Sequence, residues 1–282
     1  MKEVVLFIDD NNQEITNEDL YNALLEVDAE KCEYLFIHSE LSFGRFNGSL
    51  TKKELLGHIL YVLKKLNVKN LLVPTFSFSF CNRESYNVIK TKSPMGAFAE
   101  YFRKQKEAKR SLDPLMSVAM IGEDFSVIDD ISNQSCGDGC TFDLLNKKDD
   151  VKFLFMGITP AECFTFMHYV ERMENVPYRY DKEFKGKIID TGEICEEKTF
   201  VLPVRYEGVE PTSSKKLHNY LLENNFSKSV LFGNHSITTV DKNVGYKVIS
   251  DLLKEDIDYF LAHPYPRKGK KTNYIYEKKV AM

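Results

Sequence analysis

Short apolar runs alternate along the chain with segments in which apolar residues recur every three or four positions. A short apolar run bounded by polar residues predicts a buried strand, whereas the longer spacing predicts a helix with one buried face. The predicted strands are residues 34–37, 70–73, 117–121, 151–156, 199–206 and 230–232. The predicted helices are residues 51–66, 96–104, 161–173, 213–224 and 244–253. This alternation indicates an α/β fold, in which ligands bind at the loops that follow the strands.

The composition is typical of a chain with a sizeable apolar core. Of 282 residues, 43% are hydrophobic and 28% are charged, a length that suits two domains or one large α/β domain. No apolar run approaches the roughly 18 residues of a membrane span, and the apolar run at 4–8 is too short for a secretory signal. We therefore expect a cytoplasmic protein without a membrane partner.

The cysteine spacing and the net charge argue against two classes of function, metal binding and nucleic-acid binding. In a cytoplasmic chain we expect the six cysteines to be reduced thiols. Cys136 and Cys140 form one pair without a second pair at zinc spacing, so no metal site is predicted. The net charge of −4 argues against a nucleic-acid partner. Residues 264–282 carry six basic side chains against Glu277, and we expect a basic tail there after a domain at residues 1–263.

The segment after the strand at 151–156 has the strongest chemical pattern. Thr165, His168 and Glu171 are spaced three apart and would share one ridge of a helix, with Glu162 in its first turn. A histidine oriented by a carboxylate can act as a general base, because the carboxylate fixes the tautomer and stabilises the imidazolium. The alternative is a helix-face histidine with a structural hydrogen bond. Cys163 would point away from His168, since five residues are about 140° apart on a helix, and is predicted to be core.

Several segments occur in the order found in one known family. They are His38-Ser-Glu-Leu-Ser-Phe-Gly44, Leu72-Val-Pro-Thr-Phe-Ser77, Glu100-Tyr-Phe-Arg103 with Arg110-Ser-Leu-Asp-Pro114 and Ser117–Gly122, and residues 154–171, followed by Pro177-Tyr-Arg179 and Gly233–Asp241. On these segments the chain resembles the aminoglycoside 3-N-acetyltransferases, or antibiotic N-acetyltransferases, over residues 15–255. It looks most like the branch found among bacterial surface-polysaccharide enzymes.

The resemblance implies a single α/β/α domain with a mixed central sheet flanked by helices. It also implies an N-acyltransferase that passes an acyl group from acetyl-CoA, or another acyl-CoA, directly to an amine without a metal. In this resemblance the catalytic base is His168 and its carboxylate partner is Glu162, where the family usually has aspartate. The implied coenzyme-binding residues are His38, Ser39, Leu41, Ser42, Phe43, Gly44, Thr75 and Ser111. The implied acceptor-binding residues are Glu171, Thr165, Ser77 and Asp113.

Two departures from the family bear on the acceptor. Asp113 stands where the family has histidine, so either the acceptor preference has changed or the position only caps a turn. The segment between Thr75 and Gly96 lacks the longer, Trp-rich insertion of drug-modifying members, and the chain has no Trp. We therefore expect a small-molecule amino sugar, carried on a nucleotide, as the acceptor. The alternatives are an aminoglycoside acceptor and a non-catalytic relative that only binds coenzyme A; a homo-oligomer also stays open.

Overall fold

A seven-stranded mixed sheet forms the centre of the computed structural model, which describes residues 2–190, 193–212 and 215–265. The strands are β1 (Val5–Ile8), β2 (Glu14–Thr16), β3 (Tyr34–Ser39), β4 (Arg45–Phe46), β5 (Asn70–Pro74), β6 (Tyr86–Asn87), β7 (Lys109–Arg110), β8 (Val118–Gly122), β9 (Val151–Met156), β10 (Arg179–Asp190), β11 (Glu193–Arg205), β12 (Ser227–Phe232) and β13 (His235–Asp241). The central sheet has the order β12-β13-β9-β3-β5-β8-β7. β3 is parallel to both β5 and β9, and the other neighbours are antiparallel.

Helices cover both faces of this sheet. They are α1 (Asn17–Glu26), α2 (Lys52–Lys65), α3 (Gly96–Phe102), α4 (Ser126–Asp129), α5 (Thr141–Asn146), α6 (Phe166–Met173), α7 (Lys215–Glu223) and α8 (Lys242–Glu255). Side chains alternate across the sheet along β3, because successive residues of a strand point to opposite faces. Tyr34 and Phe36 pack with the core under α5, α6 and α8, whereas Leu35 and Ile37 pack with the core under α1, α2 and α3. The predicted α/β/α layering is confirmed.

Local signals explain the helix boundaries that the sequence predicts well. At the start of α2 the Thr51 hydroxyl accepts a hydrogen bond from the Glu54 N–H at 3.3 Å, and the Glu54 carboxylate accepts one from the Thr51 N–H at 2.8 Å. This reciprocal capping box satisfies two donors that helix geometry leaves unpaired. Capping and a buried apolar face together account for α2 beginning where the sequence predicts.

The prediction for residues 161–173 is wrong over its first turn. The helix begins at Phe166, and the residues before it form turns. The Glu162 carboxylate accepts hydrogen bonds from the N–H and the hydroxyl of Thr159, at 2.9 and 2.8 Å. That side chain closes a separate turn at 159–162, so Glu162 does not lie on the face of α6.

Two smaller sheets and a long hairpin complete the fold. β2, β1 and β4 form one sheet, and β6 joins the hairpin of β10 and β11 to form the other. Of the basic tail at 264–282, residues 266–282 lie outside the described residues; Tyr265 stacks on Tyr206 with ring centroids 5.9 Å apart. No helix among the described residues is long and apolar enough to cross a membrane.

Candidate active site

The parallel pairing of β3 with β9 brings two loops together at one edge of the sheet. Ser39 at the end of β3 lies in register with Met156 at the end of β9. Gly157 follows with φ +66°, and a Cβ there would lie 1.8 Å from the Glu40 carbonyl oxygen. The Ser42 hydroxyl donates a hydrogen bond to the Gly157 carbonyl at 2.5 Å. Only glycine fits this crossing point, which fixes loop 40–42 against the start of the segment that leads to His168.

His168 is bonded to a buried carboxylate on its own helix. His168 Nδ1 lies 2.9 Å from Glu171 Oε2, and the Glu171 side chain is 4% exposed. Arg179 Nη2 donates to the same oxygen at 2.7 Å and lies 3.0 Å from His168 Nδ1. The Tyr178 hydroxyl donates to Glu171 Oε1 at 2.9 Å. Both oxygens of Glu171 are therefore held, and the imidazole is fixed in orientation.

The charges of this group set the protonation states. Burial raises the pKa of Glu171, but the Arg179 guanidinium and the His168 and Tyr178 hydrogen bonds outweigh it and lower the pKa to about 2. Burial and Arg179 lower the pKa of His168, while Glu171 opposes them. At neutral pH Glu171 is thus a carboxylate and His168 a neutral imidazole. Glu171 can only accept a hydrogen bond, so in the tautomer in which Nδ1–H donates to it the basic nitrogen is Nε2.

Glu162 does not make the contact expected of it. Its carboxylate binds Thr159, as above, and its electrostatic interactions are with His235 and His218 and not with His168. The hydrogen bond that the sequence assigns to Glu162 is made by Glu171 instead. The reason is the late start of α6, which removes Glu162 from the ridge that carries His168.

The first of two neighbouring cavities lies between β3, α2 and α3, and we call it the α2–α3 cavity. It has a volume of about 670 Å³. It is lined by His38, Ser39, Glu40, Leu41, Ser42, Phe46, Leu50, Lys52, Leu55, Leu56, Pro74, Pro94, Met95, Gly96, Ala97, Phe98, Ile158 and Cys163. Four of the residues implied to bind coenzyme A are thus together on its wall: His38, Ser39, Leu41 and Ser42.

The second cavity, here the His168 cavity, has a volume of about 390 Å³. It is lined by Phe76, Phe78, Cys81, Met95, Met116, Cys136, Thr165, His168, Arg179, Phe184, Leu202, Pro203, Val204 and Arg205. Met95 lines both cavities, so they meet at this side chain.

His38 lies at the base of the α2–α3 cavity. Its ring stacks on Phe155 with centroids 5.1 Å apart, and Nδ1 lies 3.3 Å from the Cys163 sulfur. Burial lowers the pKa of His38 to about 3 and raises that of Cys163 to about 11. Both groups are therefore neutral. Cys163 is only partly buried and lines the α2–α3 cavity, so the prediction that it belongs to the core is wrong. It precedes α6, so the helical spacing from His168 does not apply to it.

The other residues implied to bind coenzyme A are held elsewhere. Phe43 is buried in the core under α1, and Gly44 has φ +150° where a Cβ would lie 2.4 Å from the Ile8 carbonyl oxygen. The Thr75 hydroxyl donates to the Ser117 carbonyl at 3.1 Å and accepts from Arg110 Nε at 3.0 Å. The Ser111 hydroxyl accepts from the Val118 N–H at 3.0 Å. None of these four positions lines either cavity.

The four residues implied to bind the acceptor are also separated. Thr165 lines the His168 cavity, whereas Glu171 lies behind the imidazole. The Ser77 hydroxyl donates to the Pro114 carbonyl at 3.0 Å. Asp113 is buried and accepts from the N–H groups of Leu115 and Met116 and from the Ser135 hydroxyl, at 2.8, 2.9 and 2.9 Å. Of the two explanations for Asp113, the structure shows the turn cap.

Sequence reasoning missed Arg179, Arg205 and Met95 as site residues. Arg179 lay within a family-like segment, Pro177-Tyr-Arg179, and that was the available signal. Arg205 and Met95 follow from strand pairing and helix placement, for which the sequence has no local pattern. Among the described residues, no group of histidine, cysteine, aspartate or glutamate side chains could hold a metal ion.

The comparisons with known proteins give the family of this chain. The family model for aminoglycoside 3-N-acetyltransferase matches residues 63–254, well over half of the chain. The chain therefore belongs to the aminoglycoside 3-N-acetyltransferase family. It is an N-acyltransferase, an enzyme that moves an acyl group from acyl-CoA to an amine. No curated protein sequence matches the chain.

Solved structures share the fold over most of their length. Aminoglycoside acetyltransferase AAC(3)-Xa is 16% identical with a TM-score of 0.71, and 86% of this chain covers 93% of that one. AAC-IIIb with coenzyme A is 14% identical with a TM-score of 0.71, covering 89% and 99% of the two chains. AAC-VIa bound to sisomicin is 14% identical with a TM-score of 0.68, covering 83% and 97%.

Proposed function

We propose that this enzyme transfers an acyl group, in the first instance acetyl, from acyl-CoA to the amine of a nucleotide-linked amino sugar. The observation that carries the proposal is the His168–Glu171 hydrogen bond in a cavity that meets the α2–α3 cavity at Met95. The two cavities suit two substrates that must meet at one base. The branch that the sequence resembles suggests a role in surface-polysaccharide biosynthesis.

The α2–α3 cavity is the proposed donor site. Its volume falls within the roughly 300–1,000 Å³ of small-molecule sites. Leu41, Leu55 and Leu56 supply an apolar wall for a pantetheine arm, and the Ser39 hydroxyl supplies a polar group for its amides. Lys52, in the first turn of α2, supplies positive charge next to a helix N-terminus, which favours a phosphate. AAC-IIIb, a structure of the same fold, was solved with coenzyme A.

His168 is the proposed general base. An alkyl ammonium titrates near the lysine reference of about 10.4, so the acceptor must lose a proton before its nitrogen attacks the thioester carbonyl. His168 Nε2 would take that proton, and Glu171 would stabilise the imidazolium that forms. Arg179 and Tyr178 hold Glu171 in place during the transfer. The thiolate of coenzyme A leaves when the tetrahedral intermediate collapses, and it takes up a proton.

The oxyanion of that intermediate needs donors. The Thr75 hydroxyl, one candidate from the sequence, donates its proton to Ser117 and is buried behind the cavity wall. We therefore assign this role to the backbone N–H groups of Leu41 and Ser42, in the loop that follows β3 and lines the donor site. The Glu40 N–H is already bonded to the Met156 carbonyl at 2.9 Å. The assignment requires no metal.

An aminoglycoside is the second candidate acceptor, because AAC-VIa of the same fold binds sisomicin. Free-thiol release from acetyl-CoA, measured with UDP-linked amino sugars and with sisomicin, separates the two. We expect turnover with a nucleotide-linked sugar and little with sisomicin. Preference for sisomicin would overturn the assignment of the acceptor. Binding of coenzyme A without turnover of any amine would favour a non-catalytic protein that only binds coenzyme A.

A further inference from the structure

One aromatic side chain stays exposed where it lines the α2–α3 cavity. The large hydrophobic side chains that are exposed in the described part of the chain are Phe46, Tyr61, Ile89, Leu112, Leu222, Phe226 and Leu231. Of these seven described residues, Phe46 alone lines the α2–α3 cavity or the His168 cavity. Single exposed hydrophobic residues are common on protein surfaces, but one at a ligand cavity offers apolar surface that a ligand can cover.

The Phe46 ring is supported by the fold from one side. Phe46 lies on β4 in antiparallel register with Phe7 of β1, and the two ring centroids are 5.9 Å apart. Phe7 is itself fully buried, whereas 53% of Phe46 is exposed. A ligand ring that packs on the exposed side of Phe46 therefore meets a side chain that has already lost part of its freedom, which lowers the entropic cost of binding.

Phe46 and Lys52 belong to the exposed part of the cavity lining. His38, at the base of the cavity, is 1% exposed, and Leu55 and Leu56 of the apolar wall are buried. Lys52 and Phe46 are both exposed. The lining thus changes from buried and apolar to exposed, cationic and aromatic.

Coenzyme A has a matching order of chemical groups. The thioester continues into the pantetheine arm, which is followed by the pyrophosphate, a phosphorylated ribose and, at the far end, adenine. The proposed donor site places the arm on the apolar wall and a phosphate at Lys52, so the adenine belongs at the exposed end. Bases bind readily to aromatic side chains there, because every base has a π-face that can stack.

We propose that Phe46 stacks on the adenine of coenzyme A and forms the nucleotide end of the donor site. This inference rests on the proposed function, which takes the α2–α3 cavity as the donor site. It adds a binding residue that the family resemblance does not imply. Because the adenine lies at the opposite end of coenzyme A from the thioester, the contact affects the binding of the donor and leaves the acyl transfer step unchanged.

The absence of tryptophan from the chain allows a direct test. Phe46→Trp introduces a single indole, whose fluorescence is quenched when an adenine stacks on it. Tyr61→Trp is the matched control, since Tyr61 is also 53% exposed but lines neither cavity. The two probes are coenzyme A and 4′-phosphopantetheine, which has the same arm but lacks the adenosine part. We expect coenzyme A alone to quench Phe46→Trp, and neither probe to quench Tyr61→Trp.

Calorimetry on two further variants measures the size of the contact. Phe46→Ala should weaken coenzyme A binding by about 5- to 150-fold, the range for one base stacked on an aromatic side chain, and should leave 4′-phosphopantetheine binding unchanged. Phe46→Leu keeps an apolar side chain next to Phe7 but has no aromatic face, so it should show most of the same loss. In thiol-release assays the KM for acetyl-CoA should rise while kcat stays unchanged.

The outcomes separate this inference from the proposed donor site. Equal losses for both probes in Phe46→Ala would show that Phe46 supports the arm or the fold, and would overturn the stacking contact. Unchanged coenzyme A binding in Phe46→Ala, together with weaker binding in Lys52→Glu, would also overturn it but leave the donor site standing. Wild-type protein that does not bind coenzyme A would contradict the donor site and the stacking contact together.

Discussion

At the scale of single residues, one of two nearby carboxylates holds His168. Both Glu162 and Glu171 lie within the family-like segment, and spacing alone places both near one helical ridge. The structure distinguishes them because Glu162 closes the turn at Thr159, whereas Glu171 lies 2.9 Å from Nδ1. The sequence predicts the wrong partner for His168, because the spacing of Glu162 does not show that the residues before Phe166 form turns rather than helix.

The two carboxylates therefore respond differently to removal of charge. Glu171→Gln should lower kcat by about 10²-fold, because the amide no longer stabilises the imidazolium that general-base catalysis forms. Glu162→Gln removes the same charge, but at a turn that does not contact His168. Its kcat should therefore stay within about 2-fold of the wild-type kcat. Steady-state thiol release on both purified variants measures the difference. A larger loss in Glu162→Gln would contradict the geometry.

The pH dependence of kcat/KM depends on the charged groups around His168. The base must be neutral to accept a proton, so kcat/KM falls as pH drops through the pKa of His168. Burial and Arg179 lower that pKa, so the acid limb should lie below the usual histidine value of about 6.5. Arg179→Gln removes the cation and should move the limb to higher pH, as a kcat/KM profile between pH 5 and 8 would show. A limb that stays in place, or moves to lower pH, would count against His168 as the titrating base.

At the scale of elements, the buried parallel strands were the easiest to predict. β9 occupies the predicted residues 151–156, because a fully buried strand is a continuous apolar run. The β10–β11 hairpin was only partly predicted, at 199–206. β10 is rich in charged residues and its burial changes along its length, so no apolar run marks it. Arg179 and Arg205 come together only through this pairing, which is why the sequence did not show that both line the His168 cavity.

The close approach of loop 40–42 to Gly157 is the feature of the fold most sensitive to a single substitution. Gly157→Ala would place a Cβ 1.8 Å from the Glu40 carbonyl and force a left-handed conformation on alanine. We expect a loss of more than about 2 kcal/mol in unfolding free energy, since backbone strain and a clash act together. Gly208→Ala is the matched control, because Gly208 has φ +78° and open space, so only strain of about 1 kcal/mol applies. Equal shifts of the two urea unfolding midpoints would show that the close approach does not matter.

At the scale of the whole molecule, the ends of the central strands and the helices α2, α3 and α6 place the two cavities side by side. The sequence predicts several residues that line these cavities, including His38, Ser39 and Thr165, because they lie in the segments that resemble the family. It could not show that the cavities meet at Met95, since this depends on how α3 packs against the sheet. For the same reason it placed Thr75 and Ser111 in the site, although both are committed to hydrogen bonds in the wall.

If the α2–α3 cavity is the donor site, the charge of Lys52 on its wall should affect the binding of coenzyme A. Lys52→Glu should weaken coenzyme A binding about 10-fold, because a phosphate loses one attractive charge and gains a repulsive one. Lys53→Glu is the matched control, since Lys53 is exposed on the next position of α2 and does not line the cavity. Calorimetry with coenzyme A on both variants measures the effect. The same loss in both, or none in Lys52→Glu, would place the phosphates elsewhere.

The central claim is that His168, held by Glu171, is the general base of acyl transfer. Its most direct test is kcat for thiol release from acetyl-CoA with His168→Ala, beside wild type and the control His58→Ala on α2, away from both cavities. The account predicts a fall of about 10²–10⁴-fold for His168→Ala, the usual contribution of general-base catalysis, and no comparable fall for His58→Ala. A folded His168→Ala enzyme that turns over at the wild-type rate would contradict the account.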